Sequence, residues 1–213
     1  MGTLRNGAHG ALNGKVGNLV SYQLKGKTVV RQVGVILKKP SIPQLAVRQR
    51  VKVINQFLNP IKEYINSGFS FAVIGTDRHA HNEATSYNLK NATAGEYPNI
   101  HMDYSKVKVS IGNLLSPDEM SATRIENALE ITWTYDNKRD YDFRNDRAMI
   151  ILYYAKTNEA YYILSGSARS DGKQTIELDS TDLMKACNIY LSFFADNRGS
   201  VSDSKHQYIE ELV

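Results

Sequence analysis

The side chains that could bind a metal ion lie in two short stretches. Asp77, His79, His81 and Glu83 have the residue types of a metal site. Two histidines separated by one residue converge on an ion only from a strand or loop, however, and no further ligand cluster follows them. The stretch 136–146 mixes carboxylates with Lys and Arg and lacks the Asp-x-Asp-x-Asp-Gly spacing of a calcium loop. We predict solvated polar residues in both stretches, with calcium binding by the second as the alternative.

Nucleotide and catalytic motifs are also absent from the sequence. The segment Gly10–Lys15 resembles a phosphate loop, but His9 stands where the motif needs its first glycine. Val16 stands where the motif needs Ser or Thr. The five histidines are scattered, and no nucleophile and base form a recognisable pair. We therefore predict a protein that is not an enzyme, with no cofactor and no bound metal.

Charge is the strongest compositional signal. The net charge of +4 hides an asymmetry, because residues 1–100 hold 13 Lys/Arg against 4 Asp/Glu, whereas residues 101–213 hold 13 against 18. No acidic residue precedes Glu63, although 11 Lys and Arg residues do. Cations without counter-charges indicate a surface for an anionic partner. The residues that we predict to form this partner-binding surface are Lys15, Lys25, Lys27, Arg31, Lys38, Lys39, Arg48, Arg50 and Lys52.

The first half of the chain reads as an arm, a hairpin and helices. Residues 1–15 are rich in Gly and Asn, which favours an irregular arm. Val16–Tyr22 and Lys27–Ile36 predict two strands joined by a turn at Gly26. Gln44–Asn66 has helical periodicity, and Pro60 either kinks one helix or starts a second. The apolar stripe of this segment packs on its own domain or forms an oligomer contact; its members are Val47, Val51, Ile54, Leu58, Ile61 and Ile65. A second helix is predicted over Asn82–Ala94.

The second half of the chain has the pattern of an antiparallel β-sandwich. Seven short strands are predicted at Tyr104–Gly112, Ala128–Tyr135, Ala148–Lys156, Ala160–Ala168, Lys173–Leu178, Ile189–Ala195 and Gln207–Leu212. This change from helical to strand periodicity places a domain boundary near residue 100. We expect an N-terminal domain at 1–100 and a sandwich domain at 101–213.

Two motifs in the second half resemble the fibronectin type III and related immunoglobulin-like domains. Leu129-x-Ile131-x-Trp133 resembles the second strand of that family. Leu183, followed by Tyr190 and the segment that runs through Asn197 and Gly199 to Ser202, resembles its sixth strand. The resemblance implies that Trp133 and Tyr190 lie in the structural core and that a tyrosine corner pins the sixth strand. It says little about function, because this fold serves many unrelated roles.

The first half is similar to an uncharacterised protein family that is frequent in Bacteroidetes genomes and their phages. The matching residues are Asn6-Gly7, Gly14-Lys15-Val16-Gly17-Asn18, Gly26-Lys27, Val29-Val30-Arg31, Gln49-Arg50, Phe57-Leu58-x-Pro60-Ile61-Lys62, Gly68-Phe69, Tyr87–Ala92, Gly95-x-Tyr97-Pro98 and Asp103–Val107. That family carries no assigned activity. The resemblance implies a structural or assembly role in a phage-like particle.

Together these patterns predict a mainly β protein of the α+β class, with an N-terminal hairpin and helices before an immunoglobulin-like sandwich. We expect a non-enzymatic assembly protein that binds other copies of itself or neighbouring structural proteins in a virion head, neck or tail. Binding of nucleic acid through the basic N-terminal region is the alternative, because cations neutralise phosphates. The hairpin either docks on such a partner or folds back on the first helix of its own chain.

The sequence also indicates the cellular compartment. A single cysteine, Cys187, excludes an internal disulfide, and no run of 18 apolar residues predicts a membrane span. The residues that follow Met1 lack the apolar core of a signal peptide. We expect cytoplasmic synthesis without a signal peptide, no membrane partner, and a place in the mature virion as part of an oligomeric assembly.

Overall fold

Residues 2–4, 13–24, 26–35, 38–138 and 140–212 are described in the computed structural model of the chain. Contacts divide the chain into two compact units, residues 1–41 and residues 42–213. Both units are built on antiparallel sheets, and the described helices all belong to the second. The fold is therefore α+β, as predicted.

The first unit is one four-stranded antiparallel sheet with the order β1-β4-β3-β2. Its strands are β1 (Gly2–Leu4), β2 (Gly14–Val16), β3 (Leu19–Leu24) and β4 (Lys27–Gln32). The predicted hairpin is formed by β3 and β4, and Gly26 takes a positive φ of 76° in its turn. The predicted strand Val16–Tyr22 is wrong in its extent, because a turn at Gly17, with φ of 60°, divides it between β2 and β3.

The helices of the second unit precede its sandwich. They are α1 (Ile42–Leu58), α2 (Lys62–Gly68) and α3 (Ala80–Asn91), and a single turn of 3-10 helix at Asn59–Ile61 joins the first two. Pro60 lies in this turn, where its missing backbone N–H costs no helical hydrogen bond. A second 3-10 turn spans Phe71–Val73, and the short strands β5 (Thr93–Ala94) and β6 (His101–Met102) pair after α3. None of the described helices is both long enough and apolar enough to cross a membrane.

The sandwich follows in two sheets. Its strands are β7 (Asp118–Ile125), β8 (Ala128–Thr134), β9 (Arg147–Tyr154), β10 (Glu159–Ile163), β11 (Lys173–Glu177), β12 (Cys187–Ala195), β13 (Ser200–Val201) and β14 (Lys205–Ile209), with a short helix α4 (Ser180–Met184) before β12. One sheet has the order β11-β8-β7. In the other, β10, β9 and β12 are consecutive, and both β13 and β14 pair with β12. This division of strands between two sheets is that of a fibronectin type III-like sandwich.

The central strands of the larger sheet, β9 and β12, are buried on both faces. All residues of β9 from Ala148 to Tyr154 and of β12 from Cys187 to Phe193 are buried. One face packs on the smaller sheet through Ile150, Leu152, Ile189 and their neighbours. The other face carries Met149, Ile151, Tyr153 and Tyr190 against apolar side chains of the helices. A sheet that is apolar on both faces needs a layer on each side, and α1 to α3 provide the second layer.

The helical layer therefore belongs to the same unit as the sandwich. Ile54, Leu58, Ile61 and Ile65 of the predicted stripe are fully buried in the core that contains the outer face of the larger sheet. Val47, at the start of the stripe, is exposed. The predicted boundary near residue 100 marks a change of secondary structure within this unit, whereas the division between the two units lies after Ser41.

The predicted strand Tyr104–Gly112 is wrong. Its first residues form a 3-10 turn, Tyr104–Lys106, and the rest is extended but belongs to no ladder. Its backbone groups bond to side chains and loops instead. The Nδ2 atom of Asn88 donates to the Lys108 carbonyl (2.9 Å), and its Oδ1 accepts from the Lys108 N–H (3.0 Å). The first strand of the sandwich is β7, which the sequence analysis missed.

Candidate partner-binding surface

The predicted cations fall on three parts of the structure. Lys15 lies on β2, and Lys27 and Arg31 lie on β4. Exposed Lys38 and Lys39 follow the sheet of the first unit. Arg48, Arg50 and Lys52 lie on α1 and so belong to the second unit. Lys25 lies outside the described residues.

The register of the first sheet brings three of these cations onto one face. Residues directly opposite each other in an antiparallel pair point to the same side of the sheet. Val20 lies opposite both Lys15 on β2 and Arg31 on β4. Two further opposed pairs fall on this side, Tyr22 with Val29 and Leu24 with Lys27. We call this side the basic face; its members are Lys15, Val20, Tyr22, Leu24, Lys27, Val29 and Arg31.

The opposite side of the same sheet carries apolar and neutral polar side chains, and none of its described residues is charged. Val16 lies opposite Leu19, and Ser21 lies opposite Val30. The remaining side chains of β3 and β4 on this side are Gln23, Thr28 and Gln32. We call this side the neutral face. The described cations of this sheet therefore lie together on the basic face.

Both faces leave apolar side chains in contact with water. Among residues 13–24, 26–35 and 38–41, Val29 is the one hydrophobic residue that is buried. Val16 is 69% exposed, and Leu19 and Leu24 are each 46% exposed. One sheet layer has no second layer of its own against which to bury these groups. In addition, β2 is a three-residue edge strand, whose free N–H and C=O groups can pair with a strand of another chain.

The cations of α1 are not equivalent. Arg48 and Lys52 are exposed and one turn apart, so they lie on the same side of the helix. Arg50 is half-buried, and its Nε atom is buried without a hydrogen-bond partner. The preceding Gln49 donates from Nε2 to the Pro98 carbonyl (2.6 Å). Of the predicted cations on α1, Arg48 and Lys52 are therefore the two available to a partner.

The Asp77–Glu83 stretch is engaged in local structure at the start of α3. Arg78 donates to the Glu83 carboxylate at 2.7 Å. Burial, together with the nearby charge of Lys62, lowers the pKa of His81. Among the described residues, no group of three or more His, Cys, Asp or Glu side chains is placed to hold a metal ion.

The prediction of a solvated loop over 136–146 is wrong at two carboxylates. Asp140 and Asp146 are buried. Asp146 forms ion pairs with Arg198 and with Arg169, the latter at 3.5 Å. Burial raises the pKa of Asp146, and the charges of Arg198 and Arg169 oppose that shift. The guanidinium of Arg169 also lies 3.8 Å from the centroid of the Phe193 ring. This cluster anchors the loop to the sandwich.

The two predicted core residues occupy different cores. Trp133 is 4% exposed, packs edge-on to Phe193 between the sheets, and donates from Nε1 to the Arg169 carbonyl (2.8 Å). Tyr190 is fully buried on the other face of the larger sheet. Its hydroxyl donates to the Tyr104 carbonyl (2.9 Å), before the sandwich begins. The tyrosine corner implied by the resemblance is thus replaced by a contact that ties the upstream segment to the sheet.

Sequence reasoning found the cations of the basic face and missed its apolar members. Val20, Tyr22 and Leu24 alternate along β3, and this alternation was the available signal. The turn at Gly17 sets which residue of β2 lies opposite Val20, and the sequence analysis placed that position inside a strand. The pairing of Lys15 with the other two cations could therefore not be predicted.

The chain belongs to a protein family described as a family of unknown function (DUF6266), whose profile matches residues 11–209. This match covers most of the first unit and the sandwich, so the resemblance to an uncharacterised family extends beyond the N-terminal half. No curated protein matches the sequence.

Proposed function

We propose that this member of the DUF6266 family is a non-enzymatic assembly protein that binds other copies of itself, or neighbouring structural proteins, through the sheet of its first unit. One observation carries the proposal. In this sheet Val29 is the buried hydrophobic residue of the described part, whereas Val16, Leu19 and Leu24 remain exposed. A surface with several exposed apolar side chains on a thin sheet is typical of an interaction site.

The energetic reason is the size of the unit. Chains of about 40 residues rarely bury enough apolar surface to be stable without a partner, a metal or disulfides. Covering one Val or Leu side chain contributes roughly 1.5–3 kcal/mol. A partner on the neutral face that covers Val16 and Leu19, which lie opposite each other, would supply two contributions of this kind, each reduced because these side chains are already partly covered. The free edge of β2 would add backbone hydrogen bonds to the contact.

The setting that we propose is a phage particle, in its head, neck or tail. This part of the proposal rests on the similarity of the N-terminal motifs to a family frequent in Bacteroidetes genomes and their phages. An assembly unit of this kind is synthesised in the cytoplasm and carried in the mature virion. The positive charges of Lys15, Lys27 and Arg31 on the basic face would orient a partner that carries a negatively charged surface.

Nucleic-acid binding is the second candidate, because the basic face combines three cations with an aromatic ring. Tyr22 lies on the same side of the sheet as Lys15, Lys27 and Arg31. Cations neutralise phosphates, and an aromatic ring stacks on an unpaired base. A single aromatic residue offers few such contacts, which is why assembly remains the main proposal.

Deletion of residues 1–37 tests the assembly proposal. We expect the full chain to form oligomers in sedimentation velocity runs, and the truncated chain to sediment as a monomer that still unfolds cooperatively. A truncated chain that assembles as before would contradict the proposal. So would one that unfolds, because the first unit would then serve to stabilise its own chain.

Two matched variants of the first sheet separate the candidates. Leu19→Ser removes an apolar group from the neutral face, whereas Lys15→Gln removes a charge from the basic face. Assembly through apolar contact weakens in Leu19→Ser. Nucleic-acid binding is left intact by that change, and in Lys15→Gln the slope of log K against log salt decreases by about one. Fluorescence anisotropy with labelled single-stranded and duplex DNA at physiological salt measures the second effect. Micromolar binding that weakens in Lys15→Gln but not in Leu19→Ser would favour the nucleic-acid candidate.

A further inference from the structure

A cleft of about 600 Å³ opens in the second unit near the end of α2. Its floor is apolar and is formed by Met149, Leu164, Phe194 and Ala195. Arg147, Asn145 and Asn197 are among its polar lining residues. Clefts of roughly 300–1,000 Å³ with an apolar lining and a few polar groups are typical of small-molecule sites.

The strand register explains why a cation borders an apolar floor. Side chains two residues apart on a strand share a face, so Arg147 points to the same side of β9 as Met149. Met149 is fully buried, but Arg147 is the first residue of the strand and is exposed. Phe194 lies directly opposite Arg147 on β12. The Arg147 and Phe194 side chains therefore leave neighbouring positions on one face of the sheet, and both line the cleft.

The charge of Arg147 is not neutralised within the described structure. Its side chain forms no hydrogen bond or ion pair with a described residue. The adjacent Asp146 points to the other side of the strand, is buried, and is already paired with Arg169 and Arg198. The cleft thus presents a free guanidinium, with the amides of Asn145 and Asn197 at the same opening.

We propose that this cleft binds a small carboxylic acid with an aromatic or branched apolar body. A planar guanidinium matches a carboxylate with two parallel hydrogen bonds, and such charge-assisted bonds are about twice as strong as neutral ones. The floor formed by Leu164 and Phe194 accepts the apolar body. The asparagine amides donate to the remaining carboxylate lone pairs. The site lies wholly in the second unit and does not depend on the proposed assembly function.

Three probes separate the contributions of charge and apolar body in the full chain. They are 3-phenylpropionate, its uncharged amide 3-phenylpropionamide, and acetate, which has the charge without the body. Amide chemical shifts in 15N spectra report both the affinity and the place of binding. We expect 3-phenylpropionate to bind at least about tenfold more tightly than either other probe, and to shift signals of residues that line the cleft.

Two arginine variants make the experiment specific. Arg147→Gln should reduce the affinity for 3-phenylpropionate about tenfold and leave the affinity for the amide unchanged. Arg78→Gln is the matched control, since Arg78 is an exposed arginine of the same unit that is engaged with Glu83 outside the cleft. It should leave both affinities unchanged. Thermal unfolding of each variant verifies that the fold is retained.

Four results would overturn the proposal. They are absence of 3-phenylpropionate binding at 10 mM, equal affinity for the acid and the amide, an unchanged acid affinity in Arg147→Gln, and chemical-shift changes that map away from β9 and β12. None of these results bears on assembly through the first unit, which the deletion of residues 1–37 tests separately.

Discussion

The two units of the chain bury their sheets to very different extents. In the second unit, β9 and β12 lie in a sheet that is covered by another sheet on one side and by helices on the other. In the first unit, the sheet of four strands forms a single layer, and Val29 is its buried hydrophobic residue within the described part. The second unit therefore has the larger apolar core, whereas the first unit leaves apolar side chains exposed for the protein contact that we propose.

The largest effect on stability should come from the core between the two sheets. Trp133→Ala removes a buried ring and its hydrogen bond, and we expect it to lower the free energy of unfolding by about 3–5 kcal/mol. Urea denaturation followed by circular dichroism measures the change. Tyr22→Ala, on the half-buried basic face, is the comparison variant and should cost far less. Equal losses in the two variants would remove the contrast between the units.

A smaller effect should come from the contact between the helical layer and the extended segment. Asn88→Ala removes three hydrogen bonds, two to Lys108 and one to the Ala84 carbonyl, at a fully buried position. We expect a loss of about 1–3 kcal/mol, because the Lys108 backbone would be left without partners.

Asn91→Ala is the matched control on the same helix. Asn91 is exposed and makes one hydrogen bond, to the Tyr87 carbonyl. It should cost less than about 0.5 kcal/mol. A similar loss in both variants would show that the segment after Tyr104 is not held by the Asn88 side chain.

Acidification should weaken the second unit through His206. Burial lowers the pKa of His206, which lies against the Tyr190 ring and faces Asn188 Oδ1 at 3.0 Å. The unfolded chain therefore binds a proton more readily than the folded chain, so the stability contributed by the neutral ring is lost as the pH falls below about 6.5. His81 contributes in the same direction.

Chemical denaturation at pH 7.5 and pH 5.5 measures this effect. His206→Gln keeps a hydrogen-bond donor for Asn188. It should reduce the difference between the free energies of unfolding at the two pH values, by less than about 1.4 kcal/mol per pH unit. His79→Gln changes an exposed histidine and serves as the control. An unchanged pH dependence in His206→Gln would show that burial of this ring does not govern the response to acid.

The smallest effect on stability should come from the neutral face of the first unit. Val16 is 69% exposed, so Val16→Ser should change the free energy of unfolding by less than about 0.5 kcal/mol. The same change should lower the oligomer mass measured by sedimentation, because it removes an apolar group from the proposed contact. A large loss of stability with unchanged assembly would reverse the roles that we assign to the two units.

The spacing of apolar residues predicted most of the helices and strands. It failed for the segment after Tyr104, where the backbone hydrogen bonds are not those of a strand. Val107, Val109 and Ile111 alternate with polar residues as in a strand, but burial does not follow this alternation, because Ser110 is fully buried beside Val109. An alternating pattern also does not show whether a neighbouring strand accepts the backbone hydrogen bonds. Here Asn88 and Ser204 accept or donate them.

Strand β7 was missed for the opposite reason, because it is a strand whose sequence lacks a clear apolar alternation. Its inward positions include Arg124, whose guanidinium donates to the carbonyls of Leu183 (2.6 Å) and Lys185 (3.0 Å). A cation at an inward position hides the alternation that would have revealed the strand. The proposed carboxylate cleft was equally hidden, because its lining extends from Ser67 to Asn197 and comes together only in the folded chain.

The hydrogen bond between Tyr64 and Ser192 has a consequence for the order in which the chain is made. These two residues are 128 positions apart, and their hydroxyl groups meet at 2.7 Å beneath the helical layer. A ribosome adds about 5–20 residues per second, so the apolar side of α1 and α2 is fully covered only roughly 6–25 s after its own synthesis, when the second of the two strands that pack on it has been made. During that interval the nascent chain exposes an uncovered amphipathic helix. Chaperones that bind such helices should therefore associate with the nascent chain until β12 has left the ribosome.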